Sequence, residues 1–223
     1  MNYLSHFFID HKENSPNYNF GLALPDLVNV SKRGWRPENH TFPVPDKNVN
    51  DIWEGYKQHI AVDAMFHNSA LFVKHSKRLR KELEGQGFNQ PGIRLFFVGH
   101  VLLEMLLDRH ILKTRKDIAD QFYEQLNLVR EPDIESFFET AGTQIPERFL
   151  EFFGKFKNSR YLYSYTNSSG IFFAINRLLA RTGQPGFDPQ LEESFNELIE
   201  REEIFMSDEI EIFLGKGNLI HGS

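Results

Sequence analysis

Two stretches of the chain repeat one arrangement of side chains able to bind a metal ion. His59, Asp63 and His67 follow one another at four-residue intervals, and so do His100, Glu104 and Asp108. Four residues is close to one helical turn, so each trio lines one face of a helix. A soluble protein seldom buries such a row without a partner, because an unpaired buried carboxylate or imidazole is costly. Two facing rows balanced by a cation are therefore the leading reading. Residues eight apart stand roughly 12 Å apart along a helix axis, so one ion cannot take all three members of a row. Either each row gives a four-residue pair to one ion and its third residue supports them, or the rows hold two ions about 3.5–4 Å apart.

The flanking residues weigh this reading against plainer ones. His59 and Asp63 could be an ordinary helix-surface contact, but Ile60, Val62 and Phe66 around them suggest a buried helix. His100, Glu104 and Asp108 lie within Leu95–Val98 and Val101–Leu107, apolar on nearly every side, as in a central helix. Arg109 and His110 follow at once, as helix-end ion-pair partners or as groups that meet a phosphate. His6 among aromatics could be a satisfied core histidine, and Asp26 after Pro25 a cap or turn residue. The run from Lys74 to Lys81, which contains Lys77 and Arg78, is either a solvated helix face or a patch for an acidic partner or substrate. No Gly-rich phosphate loop and no nucleophile elbow occurs.

Composition narrows the chemistry. The chain has 223 residues with no cysteine, which excludes disulfides, thiolate metal sites and a cysteine nucleophile. Nitrogen and oxygen ligands suit Mn, Fe, Mg or Zn, as one ion or two. Apolar residues make up 40% of the sequence, with 22 phenylalanines, enough for a real core. The net charge of −6 argues against generic nucleic-acid binding, which needs phosphate neutralisation. No apolar stretch reaches spanning length and the first residues do not resemble a signal peptide, so no membrane is expected and the cytoplasm is the expected compartment.

The elements that must position these residues read as almost wholly helical. Helices are expected over about 2–9, 21–28, 51–67, 70–83, 91–112 and 114–126, with a loop over 31–48. Pro132 and Pro146 each open another, Tyr161–Arg181 reads as one long helix, and Pro189 to about Phe205 as an acidic amphipathic one. Residues 207–214 alternate like a strand, though helix is also open there. The expectation is an all-α, single-domain helical bundle, with residues 1–182 forming the hydrolase-like part and 183–223 a helical extension packed on it.

The order of motifs resembles the acyl carrier protein phosphodiesterase family. The carriers of the likeness are Met1-Asn2-Tyr3-Leu4-Ser5-His6, Gly21-Leu22-Ala23-Leu24-Pro25-Asp26, His59-x-x-x-Asp63 and Glu104-x-x-x-Asp108, followed by Tyr161–Tyr165 and Asn176–Arg181. The resemblance implies a fold related to HD-type phosphohydrolases and divalent-metal-dependent hydrolysis, with manganese a usual choice. The implied reaction removes the 4′-phosphopantetheine arm from holo acyl carrier protein. By position, His6, Asp26, His59, Asp63 and Asp108 match residues of the family motifs, and Glu104 takes an aspartate position. The chain departs from the pattern in four places. Ile60 and Ala61 replace a pair of arginines, His67 stands where an aspartate is common, Arg109 replaces a histidine, and His100 is an addition.

The expected activity is metal-dependent hydrolysis of a phosphodiester, in acyl carrier protein or another substrate. The expected ligands are His6, Asp26, His59, Asp63, His67, His100, Glu104 and Asp108. Water activated by the ion is the nucleophile, with Asp26 or Asp108 orienting it or taking its proton. Arg109 offsets charge on the phosphoryl group, and His110, Lys77 and Arg78 contact substrate. A non-catalytic metal-binding or binding module is one alternative, favoured by the missing arginine pair. A carboxylate-bridged di-iron redox protein is the other, although its Glu-x-x-His spacing does not occur among these ligands. Oligomeric state is left open.

Overall fold

The computed structural model describes residues 1–38 and 46–219, the side chains of 216–219 excepted. Every regular element among the described residues is helical, as the all-α expectation required. In chain order they are α1 (Tyr3–Asp10), α2 (Pro16–Ser31), α3 (Lys47–His67), α4 (Ala70–Gly85), α5 (Leu95–Thr114), α6 (Lys116–Asn127), α7 (Glu131–Thr140) and α8 (Phe149–Ser159). A 3-10 helix (Tyr161–Thr166) precedes α9 (Ser168–Arg181), and a second (Pro189–Leu191) leads into α10 (Glu192–Leu219). None is long and apolar enough to cross a membrane.

The described residues group into two compact units. The first comprises Tyr3–Ala64 and Lys116–Tyr161. There α2 packs against α1, α6 and α8. The phenylalanines noted in the composition carry much of this core. Phe7 meets Phe122 at 5.4 Å and Phe20 meets Phe153 at 5.1 Å, tilted or edge-on as ring quadrupoles prefer. The second unit comprises Met1–Asn2, Met65–Arg115 and the chain from Leu162 onward. Here α4 lies along α5, and both meet α10. Leu71, His75, Leu79 and Leu83 are the buried face of α4, at strict four-residue intervals. Ser69 caps that helix by accepting the Phe72 N–H at 3.1 Å.

Several boundaries differ from those read in the sequence. Helix α2 begins five residues before Gly21, with Pro16 in its first turn, and α3 begins at Lys47 rather than Asp51. Pro91 lies in a turn, and α5 starts at Leu95. Tyr161–Arg181 is not one helix. Asn167 is extended, and a Cβ at Gly170 would lie 2.0 Å from the Ser164 carbonyl oxygen, so the 3-10 turn folds onto the start of α9. Residues 207–214 are helix within α10. Ile210 and Leu214 are fully buried in register with Phe195, Ile199 and Met206, whereas Ile212 is exposed, so the alternating pattern is spurious. Residues 39–45 of the expected 31–48 loop lie outside the described residues, as do His40 and His221.

Candidate functional site

The first trio of candidate ligands is built where α2 crosses α3. A Cβ at Gly21 would stand 2.3 Å from the Ile52 carbonyl oxygen, and one at Gly55 would stand 2.1 Å from that of Tyr18. Only two glycines allow the backbones so close. One turn beyond Gly55, His59 reaches the next residue of α2. Its Nδ1 donates to the Leu22 carbonyl oxygen at 2.7 Å. A neutral histidine that donates from Nδ1 to a carbonyl presents an unprotonated Nε2 on its other side, the arrangement of metal-binding imidazoles.

His6, from α1, stacks on His59 with ring centres 3.8 Å apart and planes 21° apart. Its Nε2 lies 4.0 Å from Asp63 Oδ1. Ligand atoms of His6, His59 and Asp63 all lie within 4.8 Å of one another, so the three could hold one metal ion. Both imidazoles are buried, while the Asp63 side chain is 31% exposed and leaves the trio open to solvent on that side. All three belong to the first unit.

His67 does not stay with its row. It joins His100 and Glu104 in a second trio within the second unit. His67 Nε2 and His100 Nε2 are 2.9 Å apart, and they lie 3.3 and 2.9 Å from the same Glu104 Oε1. The amino group of Met1 is 3.2 Å from that oxygen. Burial would raise the Glu104 carboxyl, but the Met1 charge and the bonds to His100 and His67 outweigh it and hold Glu104 well below the ordinary range. The two four-residue rows lie on α3 and α5, and the structure pairs their members differently from the spacing. The first row divides after Asp63, and Asp108 of the second row belongs to neither trio. Asp108 is fully buried on α5, and Asp26 is half-buried one turn past Leu22 on α2.

The basic candidates are engaged by α10. The buried Arg109 guanidinium donates to Glu203 Oε2 at 2.8 Å, to the Tyr165 carbonyl at 2.9 Å and to Glu200. Arg78 forms a two-point pair with the fully buried Glu202, at 2.6 and 3.0 Å. His110 bonds Glu211 at 2.7 Å, and Arg115 grips the same carboxylate with two nitrogens. Lys77 is exposed on α4. The acidity of residues 189–205 was plain in the sequence. That its carboxylates would meet these cations was not, because charge alone does not say which helix lies opposite.

These pairs have a pH signature. Bonds from Arg115 and His110 outweigh partial burial and bring the Glu211 carboxyl down to about 2. A carboxyl lowered on folding adds stability that is complete above its ordinary 4.5 and is lost as pH falls toward about 2. Glu211 is 40% exposed, so screening keeps the effect small. Glu211→Gln should therefore lower Tm slightly at pH 6, and the difference from wild type should close by about pH 2. A difference unchanged across that range would remove Glu211 from the acid response.

Sequence reasoning passed over three parts of this arrangement. The Leu22 carbonyl that orients His59 carries no side-chain signal. The Gly21–Gly55 contact could have been suspected only from glycines inside otherwise helical patterns. Phe72, whose ring stands nearly perpendicular to those of His67 and His100 with centres 4.7 and 4.8 Å away, looked like any amphipathic helix residue.

No curated protein and no solved structure matches the chain. The model of one family, described as acyl carrier protein phosphodiesterase, matches residues 1–214. That span holds both trios and every motif on which the resemblance was drawn. With nearly the whole length matched and its motifs in the family order, the chain belongs to the acyl carrier protein phosphodiesterase family.

Proposed function

We propose that the protein hydrolyses a phosphodiester with one divalent ion held by His6, His59 and Asp63, and that its substrate is the 4′-phosphopantetheine arm of holo acyl carrier protein. The observation that carries this reading is the 2.7 Å bond from His59 Nδ1 to the Leu22 carbonyl, which leaves Nε2 as a lone-pair donor beside the His6 ring and the Asp63 carboxylate. Two imidazoles and one carboxylate suit Mn, Fe or Zn better than Mg, and Mn is the choice the family resemblance favours. Such an ion would polarise a phosphoryl oxygen and bring the pKa of water toward neutrality.

The chain's own groups would do the rest. His59 is held in one tautomer by α2 and cannot swing away. His6 and His59 shut bulk water out from the buried side, and the opening at Asp63 admits the phosphodiester. Asp26, on the turn of α2 after Leu22, would take a proton from the attacking water as its oxygen bonds to phosphorus. It can return that proton to the carrier's alkoxide as the P–O bond breaks. Arg109 is given no phosphate in this reading, because Glu203, Glu200 and Tyr165 already take its donors.

The test is release of 4′-phosphopantetheine from holo acyl carrier protein, with bis-(4-nitrophenyl) phosphate as a general diester beside it. Protein loaded with Mn2+ should turn over at least one of the two, chelator should abolish the turnover, and added Mn2+ should restore it. A chain that binds the ion and cleaves neither would be a non-catalytic member of the family.

A further inference from the structure

We infer that His67, His100 and Glu104 form a second ion site, of the Zn2+ class, which fastens the last turn of α3 to α5 within the second unit. Three atoms converge there at separations of 2.9, 2.9 and 3.3 Å. Ideal tetrahedral bonds of about 2.0–2.1 Å place neighbouring ligand atoms about 3.3 Å apart, and right-angled bonds of that length place them about 3.0 Å apart. An ion therefore needs almost no movement of the three groups to bind all of them.

Hydrogen bonding alone serves this triangle poorly. If both Nε2 atoms carried protons for Glu104, those two protons would face each other across 2.9 Å. If only one did, it would have to serve a nitrogen and an oxygen at once. One cation satisfies all three lone pairs. Two imidazoles with one carboxylate select a borderline ion of the Zn2+ type over Mg2+ or Ca2+.

The surroundings suit such a site. The Phe72 ring packs nearly perpendicular to both imidazoles, with ring centres 4.7 and 4.8 Å apart. The side chains of His67, His100 and Glu104 keep 29, 28 and 14% exposure, so an ion can arrive from solvent and retain open positions. The Met1 amino group, 3.2 Å from Glu104 Oε1, is the charge such an ion displaces. The members come from the end of α3 and from two successive turns of α5, so an ion would cross-link those helices.

The proposal does not depend on hydrolysis, and its test uses metal content and melting. Full-length protein stripped with chelator is titrated with Zn2+. Wild type should take up two ions per chain. His59→Ala should still take up one, and at about 100 times Kd that ion should raise Tm by roughly 5 °C or more. In the His59→Ala background, adding either His100→Ala or His67→Ala should abolish both the uptake and the shift, and excess Mg2+ should not compete. His59→Ala taking up none would overturn the site, as would an ion that survives both second substitutions; wild type saturating at one ion while His59→Ala still binds one would remove the ion of the first trio and leave this site standing. Two ions with no turnover would keep this inference while ending the hydrolase reading.

Discussion

His59→Ala should cost the protein its hydrolytic ion and at least a hundredfold in turnover, while the helical fold stays intact. The imidazole is buried and does two things at once. Through Nδ1 it is anchored to the Leu22 carbonyl, and through Nε2 it faces the position shared by His6 and Asp63. Alanine removes one of three ligands and strands the Leu22 carbonyl, which still has helix geometry around it. The expected structural loss is at most about 1–3 kcal/mol, the cost of a buried polar group left unmade, and it lowers stability rather than the turnover of each folded molecule. His59→Gln separates the two contributions. A glutamine amide can donate to the same carbonyl, so stability should return toward wild type while ion affinity and turnover stay low. The measurement is metal content and melting temperature for both variants, with phosphodiester turnover at saturating Mn2+. Full activity in either variant would move the reaction away from this trio.

The distribution of what could be read in advance follows from the kind of information a sequence holds. Period and composition are local properties, and they gave the all-α class, most helix positions and the four-residue rows. Partner choice is not local. The row His59, Asp63, His67 is one face of α3, and nothing in its spacing says that its last member would meet His100 and Glu104 while its first two meet His6. Likewise Arg78, Arg109 and His110 looked available for a phosphate until α10 brought Glu202, Glu203 and Glu211 to them. A cation beside an apolar helix needs a carboxylate somewhere, and a sequence names several candidates without ranking them. The misread break at Asn167 and the strand-or-helix ambiguity at 207–214, which the structure resolves as helix, share one cause. Each was judged from an amphipathic pattern, whereas a close approach at Gly170 and the burial of Ile210 and Leu214 decided the outcome.

Gly55→Ala should be the most damaging single methyl group in the first unit. The new Cβ would sit 2.1 Å from the Tyr18 carbonyl oxygen and 2.9 Å from Gly21 Cα, both of them backbone atoms that cannot rotate aside. Alanine ordinarily stabilises a helix relative to glycine by about 0.5–1 kcal/mol, so propensity alone forecasts the opposite sign. Overpacking wins here because relief requires α2 and α3 to separate, at a cost of about 3 kcal/mol, or roughly 10 °C in Tm for a chain of this length. The same separation lengthens the bond from His59 to Leu22, four residues and one residue away from the two glycines, so ion affinity should fall even in the fraction that remains folded. Gly85→Ala is the matched control, because a Cβ there meets nothing within 4 Å. It should leave ion binding unchanged and shift Tm by no more than about 2 °C. If Gly55→Ala melts like wild type and binds the ion as tightly, the two helices do not depend on their glycine contact to hold His59 against Leu22.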